Sequence, residues 1–314
     1  MIVLFDLNHV AYRCLHAANK DIKDVGWNYF KHLMFNQIIN TSRKFAADEI
    51  VLLVDDKENW RKKYYLEYKE NRKAARAKQT DIDWTAFFDN YRAFTEEVKQ
   101  YFPFYVLQQK YLEADDLAGV FARDWQNFEK IIVTSDTDYL QLLKYKNVKI
   151  YDPIKAKFLV CDDPIKELKI KILTGDPGDN VPSIKERVGD KTAEKILNEG
   201  KLQEMFDDKT PFHTNADGSI VTFGEEYKER FKRNTILIDL DRTPQALIKQ
   251  FKDNFKDYVL PSGKEIFHYL SKNKFRELLR NMSNMDQIIQ RIATNKTTGN
   301  SLMNNLNDVE ELFT

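Results

Sequence analysis

Ile2-Val-Leu-Phe-Asp6 is a short apolar run that ends in an aspartate, and two later stretches repeat this pattern. They are Ile50-Val-Leu-Leu-Val-Asp55 and Ile131-Ile-Val-Thr-Ser-Asp-Thr-Asp138. Short uninterrupted apolar runs are typical of strands buried on both faces, as in a parallel sheet whose faces are covered by helices. The three runs therefore predict three strands of one parallel sheet, each with an aspartate at its carboxyl end.

The chain between these runs has helical periodicity. Apolar residues recur there at three- and four-residue spacing, namely Trp84, Phe87, Phe88, Tyr91, Phe94, Val98 and Tyr101, which predicts one apolar helix face. Strands that alternate with helices predict an α/β fold. In open α/β sheets the ligand site lies beyond the carboxyl ends of the strands, which is where the aspartates are expected to meet.

The domain organisation changes near residue 160. We predict an α/β core over residues 1–160 and a helical domain over 161–290, in which Pro164 begins one helix and Lys191–Asn198 forms another. The last segment, 291–314, contains the polar run Asn295–Asn300 and is predicted to be a flexible tail.

Net charge does not identify a partner, because Lys plus Arg and Asp plus Glu number 49 each. The distribution is uneven, however, with nine Lys or Arg residues against three glutamates between Lys57 and Lys78. Cys14 and Cys161 form no CxxC pair, which argues against a disulfide framework or a cysteine zinc site and indicates a reducing compartment. Without a basic leader or an apolar run of about 18 residues, we expect a cytoplasmic protein with no membrane partner.

Acidic residues carry the strongest chemical signal in the sequence. Several carboxylates in one pocket repel each other unless cations lie between them, so such groups usually bind hard divalent metals. Two Mg²⁺ or Mn²⁺ ions would activate water and stabilise a leaving oxygen, which suits phosphodiester hydrolysis. The predicted metal ligands are Asp6, Asp55, Glu113, Asp115, Asp116, Asp136, Asp138, Asp176 and Asp179.

Each acid also has a simpler explanation. A strand-terminal aspartate such as Asp6 or Asp55 can be a turn residue or a helix cap. Glu113, Asp115 and Asp116 can do no more than favour a helix N-terminus, whose dipole attracts anions. The metal hypothesis rests on the repetition of acids at positions that the sheet would bring together.

Five motifs together resemble the 5′-nuclease or flap endonuclease family, most closely its branch in T-even-type bacteriophages. In chain order they are Phe5-Asp6, Val54-Asp55, Leu112-Glu-Ala-Asp-Asp-Leu117, Thr134-Ser-Asp-Thr-Asp-Tyr139 and Thr174-Gly-Asp-Pro-Gly-Asp-Asn-Val-Pro182. The resemblance covers about residues 1–290. It implies a PIN-like parallel-sheet nuclease core with a helical arch, and a 5′ to 3′ exonuclease and flap endonuclease that removes RNA primers from lagging-strand fragments on branched, flapped or nicked DNA and RNA–DNA duplexes.

The resemblance also implies individual functions for the acids. Asp55, Glu113, Asp115 and Asp116 would serve the first metal, with Asp6 nearby. Asp136 and Asp138 would lie between the two metals, and Asp176 and Asp179 would reach the second. Asp6, Asp55 and Asp138 are expected to be catalytic.

The segment Trp60–Arg76 combines cations with interleaved aromatic residues, as nucleic-acid-binding segments do. A solvated helix with tyrosines packed inward is the alternative. By resemblance it begins a helical arch near residues 57–100, in which Lys69 and Arg72 are catalytic and face the scissile phosphate. The other predicted contacts to nucleic acid in this segment are Arg61, Lys62, Lys63, Tyr68, Lys73 and Arg76.

Residues 164–199 resemble the family's helix-three-turn-helix, whose amides bind a phosphate, often with K⁺. Lys185, Arg187, Gly189, Lys191 and Thr192 are the predicted contacts there. An ordinary helix start with Asp190 as N-cap is the alternative. The segment Ser183–Arg187 departs from the family's more glycine- and proline-rich turn, which leaves the K⁺ site open.

The tail Asp308-Val-Glu-Glu-Leu-Phe313 resembles peptides that bind a sliding clamp, with Val309, Leu312 and Phe313 as the contacts. A single-stranded DNA-binding protein is a second predicted partner, and we expect a monomer. Two other functions remain open, which are a PIN-type single-strand ribonuclease and a non-catalytic DNA-binding replication scaffold.

Overall fold

The structure is a computed structural model that describes residues 1–297 and Leu302. The described chain forms two compact units. The first consists of Met1–Glu58, Asp81–Val160 and the described part of the chain from Gln245. The second consists of Asn59–Thr80 and Cys161–Pro244.

The strands of the described chain are β1 Ile2–Asp6, β2 Glu49–Val54, β3 Tyr105–Gln108, β4 Lys130–Val133, β5 Val148–Asp152, β6 Lys157–Leu159, β7 Pro211–Thr214 and β8 Ile220–Thr222. Its α-helices are α1 Leu7–Val25, α2 Trp27–Lys44, α3 Asn71–Ala77, α4 Trp84–Tyr101, α5 Ala114–Asp124, α6 Pro164–Thr174, α7 Asp190–Asn198, α8 Leu202–Phe206, α9 Phe223–Ile238, α10 Gln245–Lys256, α11 Ile266–Lys272, α12 Arg276–Arg280 and α13 Met282–Thr297.

The first unit is built on a six-stranded sheet of order β3-β2-β1-β4-β5-β6. Strands β1 to β5 pair in parallel, and only β6 runs antiparallel, against β5. Every residue of β1 and β2 is buried, as their apolar runs predict. The predicted α/β fold with a parallel sheet is therefore confirmed.

Aromatic residues dominate the core of the first unit. Phe87 and Phe94 from the apolar face of α4 pack there with Phe35 of α2. Tyr269 of α11 and Ile288 of α13 belong to the same core. Because these C-terminal helices bury their apolar residues here, the chain after 245 belongs to the α/β unit, whereas the sequence placed it in the helical domain.

The second unit is mostly helical, with α3 and α6 to α9 beside the small β7–β8 hairpin. Tyr68 packs against Val181 and Leu237 in its core. The segment 59–80 therefore belongs to this unit. The predicted arch near 57–100 is thus divided, because α4 lies in the core of the first unit.

None of the helices in the described residues combines the length and the apolar character that crossing a membrane requires.

Helix α6 ends in a turn that depends on Gly175, which has φ +74 and closely approaches the backbone of the Asp176–Pro182 loop. A Cβ at Gly175 would lie 2.3 Å from the carbonyl oxygen of Val181. Gly175→Ala should therefore lower the free energy of unfolding by about 3 kcal/mol or more, because it adds a backbone clash to the strain of a positive φ.

Gly200→Ala is the matched control for urea denaturation. Gly200 has φ +67, and a Cβ added there would meet no described atom within 4 Å. The substitution should cost only about 1 kcal/mol, the strain of the left-handed conformation by itself. Equal losses in the two variants would show that the close contact at Gly175 is unimportant.

Candidate active site

The carboxyl ends of three neighbouring strands bring the first acids together. Strand β1 ends at Asp6 and lies between β2 and β4. The chain adds β2 and β3 on one side of β1 and then β4 to β6 on the other, so the strand order reverses at β1. Asp55 directly follows β2, and Asp136 follows β4 by three residues. In α/β sheets this point, where the strand order reverses, is the usual place for a ligand.

Tyr139 shows that the acids converge. Its side chain is 1% exposed, and its hydroxyl donates a 3.0 Å hydrogen bond to Oδ2 of Asp6. Burial raises the pKa of Tyr139 well above its usual value, and nearby carboxylates raise it further, namely those of Asp6, Asp115, Asp136 and Asp55. Acids from four separate motifs thus lie near enough to act on one phenol.

A second group of acids lies at the N-terminus of α5. Glu113, Asp115 and Asp116 each offer a carboxylate oxygen, and these oxygens lie within 4.8 Å of one another. Asp55 is tied to the same helix end, because its Oδ1 accepts a 2.8 Å hydrogen bond from the amide of Ala114. Several hard oxygen donors at this spacing fit a divalent cation such as Mg²⁺ or Mn²⁺.

The capping alternative is also correct at these positions. Asp6 is the N-cap of α1 and accepts a 2.9 Å hydrogen bond from the amide of His9. Asp116 accepts a 3.0 Å hydrogen bond from the amide of Glu113 in a capping box. A carboxylate has about four lone-pair sites, so a capping hydrogen bond leaves others for a metal.

Burial makes the charged form of Asp6 costly. Asp6 is 8% exposed, and burial raises its pKa, with a further contribution from the charge of Asp136. A cation among these groups would favour their charged forms and offset the repulsion. The residues therefore fit the divalent ions that the sequence predicted.

Asp176 and Asp179 lie in the second unit, where protein donors hold both. Tyr68 donates a 3.0 Å hydrogen bond to Asp179, whose carboxylate also pairs with Arg72 at 2.5 Å and Lys69 at 3.4 Å. Burial raises the pKa of Asp176, but the ammonium of Lys171, 2.9 Å away, and the backbone amides of Asp179 and Gly178 together outweigh burial, so the pKa is lowered overall.

Arg61 and Tyr68 require a correction, because the sequence assigned both to nucleic-acid contacts. Their exposed fractions are 1% and 2%. The Nε of Arg61 donates a 2.8 Å hydrogen bond to the carbonyl of Leu237, and its guanidinium stacks 4.8 Å from the ring of Trp60. Both side chains lie in the interior. For Tyr68 this agrees with the alternative explanation, in which the tyrosines of the segment pack inward.

The remaining predicted nucleic-acid contacts have accessible positions. Lys62, Lys63 and Lys73 are exposed and Arg76 is half-buried. The turn residues are exposed too, namely Lys185, Arg187, Gly189, Lys191 and Thr192.

Helix α7 does not begin with Asp190 as its N-cap, as the ordinary helix start would have required. Gly189 occupies the N-cap position, with no side-chain capping bond, and Asp190 is the first helical residue. Asp190 is therefore not the N-cap, and the open space around Gly189 leaves the backbone approachable. The tail residues Val309, Leu312 and Phe313 lie outside the described residues.

A family model described as "5'-3' exonuclease, N-terminal resolvase-like domain" matches residues 1–172. The chain belongs to the 5′-3′ exonuclease family. Membership confirms the predicted family, the PIN-like core and the assignment to phosphodiesterases. The helix-three-turn-helix and the individual site residues stay predictions.

Two relatives give the extent of the similarity. Ribonuclease H of enterobacteria phage T4 is 27% identical over 291 residues, which are 90% of this chain and 95% of that protein. The flap endonuclease Xni of Shewanella denitrificans is 27% identical over 213 residues, covering 63% of this chain and 77% of that protein.

A solved structure supports the fold independently. The flap endonuclease of bacteriophage T5, crystallised with DNA and metal ions, superposes with a TM-score of 0.64 at 21% identity. The match covers 81% of this chain and 97% of that chain.

Three residues of the site were not selected from the sequence. Asn8, Tyr91 and Tyr139 are hydrogen-bonded to the carboxylates or to each other. Tyr91 was assigned only to the apolar face of α4, and Tyr139 only closed a motif. An aromatic residue at core spacing carries no signal that its hydroxyl faces an acid.

Asp115→Asn should weaken the binding of Mn²⁺ at least about tenfold, because it removes one charged oxygen from the group at α5. Titration calorimetry on the metal-free protein would measure this. The unfolding midpoint without metal should not fall, since the change relieves repulsion. The matched control is Asp21→Asn on an exposed position of α1, which should bind Mn²⁺ as the wild type does. Unchanged affinity in the Asp115 variant would remove this residue from the metal site.

Proposed function

We propose that this protein is a divalent-metal-dependent 5′ to 3′ exonuclease and flap endonuclease that removes RNA primers and 5′ flaps from lagging-strand fragments. The observation that carries the proposal is the convergence of Asp6, Asp55, Asp115 and Asp136 around Tyr139, in a chain of the 5′-3′ exonuclease family. The activities for which the relatives are named, ribonuclease H and flap endonuclease, support this substrate class.

The bound ions are Mg²⁺ or Mn²⁺ in this proposal, and they supply an activated water and stabilisation of the leaving oxygen. Glu113, Asp115 and Asp116 would hold the first, with Asp55 oriented beside them by the amide of Ala114. By family resemblance Asp176 and Asp179 would reach the second, and Asp136 and Asp138 would lie between the two. K⁺ at the α6–α7 turn stays a prediction.

Lys69 and Arg72, in the second unit, are the catalytic cations of this proposal. Lys69 lies at φ +58, a conformation that is costly for a residue with a side chain, and its amide donates to the carbonyl of Asp179 at 2.9 Å. Asp179 holds Lys69 and Arg72 side by side. Two cations fixed in this way would stabilise the charge that develops on a scissile phosphate.

Lys69→Ala and Arg72→Ala should each lower the single-turnover cleavage rate by about 100-fold, because they remove transition-state stabilisation. Their affinity for flapped DNA, measured by fluorescence anisotropy without cleavage, should change little. The matched control is Lys73→Ala, one exposed residue further along α3. It should weaken binding and reduce the salt slope by about 1, with an unchanged single-turnover rate. A uniform effect in all three variants would contradict the distinct function of Lys69 and Arg72.

The proposal has two competitors, a PIN-type single-strand ribonuclease and a non-catalytic replication scaffold. Incubation with 5′-labelled flap, nicked and RNA-primed duplexes, with Mg²⁺ or with chelator, distinguishes the three. We expect metal-dependent products released from the 5′ end at the junction. Cleavage of single-stranded RNA alone would indicate the ribonuclease, and binding without cleavage would indicate the scaffold.

Asp138→Ala serves as the inactive control in the same assay. It should lose hydrolysis and still bind branched DNA, because the basic side chains are unchanged. The sliding clamp and the single-stranded DNA-binding protein remain proposed partners.

A further inference from the structure

Two acids of the first unit, Asp6 and Asp55, are held by hydrogen bonds that lead back to two buried tyrosines. Tyr139 donates to Oδ2 of Asp6, and Oδ1 of the same carboxylate accepts from the amide of His9. Both oxygens of Asp6 therefore have a fixed donor. A carboxylate held at both oxygens cannot rotate without breaking a hydrogen bond, so the directions of its remaining lone pairs are set in advance.

Asp55 is oriented through an intermediate residue. Its Oδ2 accepts a 2.6 Å hydrogen bond from the side-chain amide of Asn8, and its Oδ1 accepts from the amide of Ala114 at 2.8 Å. The hydroxyl of Tyr91 donates to Oδ1 of Asn8. The chain of donors is thus Tyr91 to Asn8 to Asp55.

Hydrogen-bond chemistry allows only one direction along this chain. An ionised carboxylate only accepts, so the end of the Asn8 amide that faces Asp55 must be its NH₂ group. The other end is then the carbonyl oxygen, which also only accepts, and Tyr91 must donate. The carboxylate of Asp55 therefore decides which way the Asn8 amide points, and the hydrogen bond from Tyr91 holds the amide in that place.

Both phenols remain neutral donors. Burial raises the pKa of Tyr91 well above its usual value, and the charges of Asp55 and Asp6 raise it further. The pKa of Tyr139 is raised for the same reasons. Since the ordinary pKa of a phenol is already about 10, both hydroxyls carry the proton that they donate near neutral pH.

We propose that Tyr139, and Tyr91 through Asn8, are positioning residues that orient the carboxylates of Asp6 and Asp55 toward the divalent ions. The inference rests on the proposed function for the identity of those ions. Hydrogen-bonded partners of metal-binding groups typically contribute a factor of about 10 to 100 in metal affinity or activity.

The experiment is calorimetric titration of the metal-free protein with Mn²⁺, in the absence of DNA. Tyr139→Phe should weaken Mn²⁺ binding by about 10- to 100-fold, because Asp6 loses its closer side-chain donor and keeps only the longer hydrogen bond from Thr134, at 3.5 Å. Asn8→Ala, at a partly exposed position that tolerates truncation better, should weaken it comparably by releasing Asp55. Tyr91→Phe should cause a smaller loss, since Asn8 remains.

Tyr269→Phe is a closely matched control. Tyr269 is also a buried tyrosine whose hydroxyl donates to a carboxylate, that of Glu97 at 2.7 Å, but it lies in the core between α11 and α4. It should lower the unfolding midpoint and leave Mn²⁺ affinity unchanged. Wild-type affinity in both Tyr139→Phe and Asn8→Ala, or an equal loss in Tyr269→Phe, would overturn the proposal.

Cleavage assays add a second readout. Raising Mn²⁺ should restore the turnover of Tyr139→Phe on flapped DNA, with an unchanged KM for the DNA, and a loss that persists at saturating Mn²⁺ contradicts a positioning function. If the wild type binds Mn²⁺ without cleaving any 5′ substrate, the proposed function fails and the affinities still decide the inference. If the wild type cleaves and the affinities do not change, the inference alone fails.

Discussion

The cost of burying carboxylates together at one edge of a parallel sheet is the constraint on which the rest of this structure depends. Asp6, Asp55, Asp115 and Asp136 come from different motifs, and the charges of all four act on one buried hydroxyl, that of Tyr139. Buried charges are largely removed from water, which would otherwise stabilise them. For this reason burial raises the pKa of Asp6. The protein offsets this cost with backbone amides at helix N-termini and with neutral phenol donors, and bound cations would complete the compensation.

Capping and metal binding are not competing explanations for these acids. Asp6 caps α1, and Asp116 accepts a capping-box hydrogen bond at the start of α5. Each cap uses only part of the carboxylate and prevents its rotation, so the same hydrogen bond that begins a helix also directs the other lone pairs. These hydrogen bonds also connect helices to strands at the proposed active site. Asp6 joins β1 to α1, and Asp55 joins the end of β2 to α5.

In the second unit the basic segment is anchored by its own buried members. Arg61 hydrogen-bonds the carbonyl of Leu237, and Tyr68 hydrogen-bonds Asp179. These two contacts fix the backbone of the segment, and the exposed cations beside them project from it. Burying a guanidinium without hydrogen-bond partners costs free energy. Arg61 is buried with such a partner, which indicates a structural function for its side chain. Composition alone did not separate Arg61 from Lys62 or Lys63.

The sequence by itself determined the α/β fold, the buried parallel strands and the family, because apolar runs and ordered motifs are local properties of the chain. Only the tertiary structure decided that residues after 245 complete the first core, that 59–80 belong to the second unit, and that Arg61 is interior. It also revealed Asn8, Tyr91 and Tyr139 beside the acids. The physical reason is that burial and hydrogen-bond partners depend on residues far apart in sequence, whereas periodicity records only which face of an element is apolar.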